Sequence, residues 1–210
     1  MAKAFEAEDG AHVSLELAGS QQLALQIDNG APCQVFASAD QKQMKVAEQT
    51  KRIAPGSELE FAQNRLVIVT GPKSDVNSIQ DLTHKGLKLV LADKTVPAGS
   101  YALRMLAKGG DAFEKSVLGN VASYEEDVRS VLTKVELGEA DAGIVYATDA
   151  RVAHDVRTVE LPKEFATSSQ YWIAPIEGPE RDLSARFVSF VMSPKGQRIL
   201  TDAGFLSPVK

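Results

Sequence analysis

"EDVRSVLTKVELGEADAGIVYATDA", residues Glu126–Ala150, sets the class of the fold. Val128, Val131, Leu132 and Val135 recur at three- and four-residue spacing, the apolar stripe of a helix. Gly138 follows, where a helix closes on a glycine. Ala142–Tyr146 is then a short apolar run of the kind buried in a parallel sheet. A helix feeding a buried strand is the repeating unit of α/β architecture.

The alternation continues in both directions. Strands are expected at Val13–Leu17, Val35–Ala37, Leu66–Thr70, Leu87–Ala92, Val156–Glu160 and Tyr171–Ile176. Helices are expected at Gln21–Asn29, Gln41–Glu48, Ser78–Leu82, Ser100–Lys108, Asp127–Leu137, Leu183–Val191 and Pro194–Ala203. The expected fold is α/β, an open sheet with helices on both faces. "TGPKSD" (Thr70–Asp75) and "EFATSSQ" (Glu164–Gln170) punctuate the chain. They divide it into one lobe of residues 1–70 plus 170–210 and a second of residues 71–169. Two crossings between lobes make a hinge, and a ligand is expected in the cleft there.

Composition excludes several functions. The 210 residues carry a net charge of −5 and no long basic block, so nucleic acid is not an expected partner. No apolar run is long enough to span a bilayer, and "MAKAFEAEDG" lacks the apolar core of a signal peptide. It looks like a helix entered midway. Cys33 is the single cysteine, and His12, His84 and His154 lie far apart, so neither a disulfide nor a zinc site is expected. The chain has no GxSxG elbow, no P-loop and no base beside Cys33, which argues against an enzyme. Glu125, Glu126, Asp127 and Asp141 match no calcium-loop spacing. No cofactor is implied.

Three corners offer something else. "LAGSQQLALQIDNGAP" places Gly19-Ser20 at a helix start, "VPAGSYALRMLAKGG" places Ala98-Gly99 at another, and Val128 opens a third. First-turn N–H groups lack intrahelical acceptors and stand at the positive end of the helix dipole, so such corners suit anions. Taken singly, each is equally an ordinary helix start, capped by Ser20 or Ser123. "SYEE" (Ser123–Glu126) fits a capping box. If Ser123 caps the helix, the Val128 amide is bonded internally; a later start leaves it open. Tyr146, at the end of a strand, can aim its hydroxyl into a cleft or rest in the core.

"GSQQLALQIDNGAPCQVFASAD", "VPAGSYALRML", "EDVRSVLTKVELGEADAGIVYATDA" and "FVSFVMSPKGQRILTDAGF", in that order, resemble the molybdate-binding protein family, the ModA-type substrate-binding subunits of molybdate and tungstate ABC importers. The resemblance implies the type II periplasmic binding protein fold, with two α/β lobes holding the oxyanion by neutral hydrogen bonds. It maps the ligands onto Ser20, the Ala98 and Val128 amides and the Tyr146 hydroxyl, and it favours the later helix start. The molybdenum or tungsten of the oxyanion is the only metal implied. The implied partner is the membrane permease of an ABC transporter, and the implied location is periplasmic or extracytoplasmic. A cytoplasmic oxyanion sensor on the same fold is the alternative.

Two departures from the family stand out. Cys33-Gln34 replaces the usual Ala-Asp. The family's first strand, with its Ala-Ser-Leu corner and a further ligand serine, has no counterpart here. A first lobe lacking that strand is expected to expose strand edges and to self-associate.

Overall fold

The computed structural model describes residues 1–208. In chain order the elements are α1 (Ala2–Asp9), α2 (Ser20–Asp28), β1 (Val35–Ser38), α3 (Gln41–Gln49), β2 (Leu59–Thr70), β3 (Leu89–Ala92), α4 (Pro97–Ala107) and α5 (Asp111–Leu118). There follow β4 (Val121–Glu125), α6 (Val128–Glu136), β5 (Ala142–Tyr146), α7 (Ala147–Val152), β6 (Arg157–Val159), β7 (Ser168–Pro175), α8 (Arg181–Met192) and α9 (Pro194–Asp202). The chain divides into two compact units, residues 1–63 with 170–210, and residues 64–169. The divisions fall inside β2 and β7.

In the first unit β1 pairs antiparallel with β7, Phe36 opposite Ala174 and Ser38 opposite Trp172. One apolar cluster joins α2 and α3 to this pair through Ala24, Ile27, Phe36, Met44, Ala47, Ala174 and Ile176. A second gathers Phe61, Ile173, Val188 and Val191 with Tyr171, Phe187 and Phe205. Phe5, 3% exposed, carries α1 onto α8, meeting Phe187 edge-on at 5.1 Å and Phe190 at 5.5 Å. Arg186 to Asp9 (2.8 Å) and Lys195 to Glu8 (2.7 Å) close the rim of that contact.

In the second unit the strand order is β2-β5-β3-β4, with β6 on β2. β3 runs parallel to both β4 and β5, while β5 is antiparallel to β2. Every residue of β3 and β5 is buried, as interior strands require. Met105 and Leu106 of α4 and Val131 and Val135 of α6 complete this core. No helix among the described residues is long and apolar enough to cross a membrane.

Several expectations need correction. Val13–Leu17 forms no strand; it has no ladder partner, and Leu15 and Leu17 are 62% and 66% exposed. Alternating apolar residues specify a strand only where a neighbour supplies the ladder, and here the Val13 N–H bonds Glu6 Oε1 at 2.8 Å instead. β4 was not expected, because "VASYE" is an edge strand half open to solvent and carries polar residues on it. β2 starts seven residues earlier than Leu66, since the buried polar pair Gln63-Asn64 masks its pattern. α5 was also missed.

Phe5→Ala should cost about 3–5 kcal/mol, the range for emptying a buried aromatic site. Urea denaturation compared with the parent protein checks it.

Candidate functional site

In the first unit, α2 begins at Ser20 with Gly19 as its N-cap. The Gln22 side chain accepts the Gly19 N–H at 3.0 Å, half of a capping box. Ser20 is 8% exposed, and its Oγ accepts the Ala39 N–H at 3.0 Å. A hydroxyl holds one donor and two acceptor positions. With Ala39 on a lone pair, the Ser20 O–H is left to donate. Ala39 is itself fixed: Ser38 Oγ donates to the Asp40 carbonyl at 2.7 Å, and the Asp40 carboxylate caps α3 through the Gln43 N–H at 2.8 Å. As first residue of α2, Ser20 also has an N–H with no intrahelical acceptor.

In the second unit, Ala98 follows β3, Val128 follows β4 and Tyr146 ends β5. These three strands are parallel neighbours, β5-β3-β4. Their carboxyl ends therefore lie along one edge, adjacent strands being about 4.8 Å apart. The structure brings these three expected residues together on that edge. In open α/β sheets this is the edge that binds ligands.

α4 starts at Pro97, three residues earlier than the sequence suggested, with Val96 as N-cap. Proline fits there because a first-turn N–H has no helical partner to lose. Ala98, 1% exposed, thus sits inside the first turn with an N–H that meets no intrahelical acceptor. Gly99 allows the turn to press on the end of β3: a Cβ there would lie 2.1 Å from the Asp93 carbonyl oxygen and 2.3 Å from that of Ala92.

α6 starts at Val128. Asp127 is its cap, accepting the Ser130 N–H at 2.7 Å. That bond takes the third N–H of the turn and leaves the first, that of Val128, without an intrahelical acceptor. The capping box at Ser123 is absent. Ser123 lies on β4, where its hydroxyl donates to Glu125 Oε1 at 2.6 Å, and Lys134 bonds the same oxygen at 2.6 Å. Burial opposes ionisation of Glu125, but Lys134 and Ser123 outweigh it and hold the carboxyl below the usual range.

Tyr146 is 3% exposed with its phenolic oxygen buried, and it caps α7. Asp149 accepts the Tyr146 N–H. Sequence reading missed Asp149, although an acid three residues past an N-cap is a capping-box spacing that could have revealed it. Burial pushes its carboxyl up to about 6, against the Tyr146 bond and Arg129. The Cys33 thiol donates to the Val35 carbonyl at 3.2 Å and burial pushes it up, so it stays protonated. Among the described residues no group of three or more His, Cys, Asp or Glu is placed to hold a metal ion.

Residues 1–206 match the family model described as bacterial extracellular solute-binding protein. A relative in Mycobacterium tuberculosis, molybdate-binding protein ModA, is 38% identical over 95% of this chain and 75% of its own length. The Escherichia coli molybdate-binding protein ModA is 34% identical over 98% of this chain and 82% of its own. Among solved structures, the Azotobacter vinelandii periplasmic molybdate-binding protein superposes with a TM-score of 0.85 at 22% identity, covering 99% of this chain and 93% of that one. The sulfate-binding protein SubI of Mycobacterium tuberculosis superposes with a TM-score of 0.86 at 15% identity, covering 97% and 79%. These two likenesses establish a shared fold.

Gly99→Ala should destabilise the protein by roughly 1–3 kcal/mol or more, since the new methyl meets backbone that cannot swing aside. Asp127→Ala, which removes a cap without crowding anything, should cost about 1 kcal/mol. Thermal denaturation of both variants beside the parent protein measures the difference.

Proposed function

The chain belongs to the bacterial extracellular solute-binding protein family, and from that premise we propose that it binds molybdate or tungstate outside the cytoplasm and delivers it to the membrane permease of an ABC transporter. The observation that carries the reading is the edge of the second unit, where Ala98, Val128 and Tyr146 stand at the ends of three neighbouring parallel strands. The Ala98 and Val128 amides and the Tyr146 hydroxyl are the donors proposed there, and Ser20 is the donor proposed in the first unit. The names of the relatives, molybdate-binding proteins at 38% and 34% identity, support the choice of anion.

The chemistry fits a small dianion. Leaving water is costly for a charge unless every oxygen is re-bonded, and hydrogen bonds to an ion are about twice as strong as neutral ones. Amides in a first turn are donors already held in direction. Sulfate carries the same charge, so discrimination against it comes from size: donors spaced for the larger molybdate leave sulfate under-coordinated. Phosphate carries a proton at neutral pH, and a set of donors offers no acceptor for it. Molybdate and tungstate are nearly alike in both respects and should bind alike.

Titration calorimetry should show molybdate and tungstate binding well ahead of sulfate and phosphate. Sulfate binding as tightly as molybdate would refute the size argument. Ser20→Ala and Tyr146→Phe should each weaken molybdate binding by roughly 1.5–3 kcal/mol, the range for a hydrogen bond to a charged group, with little change in unfolding. Two variants that bind like the parent protein would show that the donors lie elsewhere.

A further inference from the structure

The donor edge of the second unit also carries a carboxylate. Asp149 lies in the first turn of α7, directly after Tyr146 and β5. One of its interactions is spoken for, the N–H of Tyr146. Its Oδ2 is buried and has no hydrogen-bond partner among the described residues. An ionised carboxylate wants both oxygens solvated or bonded, so the orphaned oxygen marks a group poorly suited to its charge. The neighbours are mixed. From the start of α6, Arg129 favours the ionised form and Asp127 opposes it. From β5 comes the Tyr146 amide, and α7 itself carries Arg151 in its last turn. Asn64 of β2 bonds Thr148, the residue before Asp149, and is neutral.

We propose that Asp149 is a charge gate on this edge: the oxyanion binds while the carboxyl is neutral, and binding takes up a proton. The proposal rests on the oxyanion reading above. Asp127 and Arg129, the two charges that Asp149 senses, flank Val128, whose amide is a proposed donor. A carboxylate at that place repels a dianion, whereas a neutral carboxyl does not and still accepts the Tyr146 N–H. Burial first of all has already moved the free group to about 6, and an arriving anion raises it further. Affinity is therefore full below about pH 6 and falls as pH rises through and above it. The Asp149 side chain touches no ligand in this scheme; it is a positioning residue for Tyr146 whose charge sets the pH response.

Molybdate titrated into the protein from about pH 6 to about pH 8.5 tests it, in two buffers of different ionisation heat. The dissociation constant should rise at least about fivefold between pH 6 and pH 8, with net proton uptake seen in the buffer dependence. Asp149→Asn keeps an acceptor for Tyr146 without the charge; its affinity should be flat across the range, with no proton uptake. Asp149→Ala, which loses the acceptor, should bind more weakly at every pH. A parent dissociation constant constant to within about twofold, or an Asp149→Asn variant with the parent's slope, overturns the gate while leaving oxyanion binding in place. A second readout needs no ligand: the Asp149 carboxyl carbon, followed by NMR, should titrate near pH 6. A midpoint near the ordinary value of about 4 overturns the proposal. Absence of molybdate binding at every pH refutes the oxyanion reading and the gate together, even if the carboxyl titrates as expected.

Discussion

A peptide N–H in the first turn of a helix is a donor that the helix cannot use. Around that constraint the starts of α2, α4 and α6 are built. Each start resolves its spare donors differently. In α4, Pro97 removes one of them outright and Gly99 lowers the turn onto the carbonyl oxygens of Ala92 and Asp93. In α6, the Asp127 carboxylate consumes the Ser130 N–H and no more. In α2, the serine hydroxyl is turned by the Ala39 amide. The residues that look decorative in sequence, a proline, a glycine and an aspartate, determine which amides stay available and where they point.

The electrostatics follow the same economy. The chain carries a net charge of −5, so its overall field does not draw anions in. Attraction has to be local, from N–H dipoles at short range in a shielded place. Carboxylates nevertheless stand at helix starts, Asp40 on α3, Asp127 on α6 and Asp149 on α7. The first two spend their charge on cap hydrogen bonds. Asp149 is half-buried with its Oδ2 left over, and burial opposes its ionisation.

Sequence pattern revealed those parts of the fold where local signals and burial agree. β5, β3 and the helices α3, α6 and α9 have apolar runs or stripes with a capping residue or glycine at the boundary, and the expected elements overlap them. It failed where tertiary context decides. Val13–Leu17 has strand composition without a partner strand, and the partner, not the composition, makes a strand. The early half of β2 hides because Gln63 and Asn64 are buried and bonded, which no hydropathy pattern can announce. The start of α6 hinged on whether Ser123 or Asp127 caps it. Both fit the local rules, and Ser123 is excluded only because β4 pairs with β3 through it. The family resemblance, not the local rules, pointed to the later start. The spacing of Asp149 from Tyr146 was legible as a capping box, but the burial of its Oδ2 is set by the tertiary fold.

The contact that seats α1 has a kinetic side. Asp9 meets Arg186 and Glu8 meets Lys195, pairs separated by 177 and 187 positions along the chain. Residues 64–169, by contrast, form an uninterrupted stretch with a complete core of their own. Loop closure has to be paid before distant contacts return anything, so continuous segments assemble first. A chain emerging from the ribosome therefore completes the middle segment while Phe5 and the apolar faces of α2 and α3 still wait for β7 and α8 to be made. β7 and α8, made after the middle segment, close the first unit, and a chain that loses α8 loses the seat of α1.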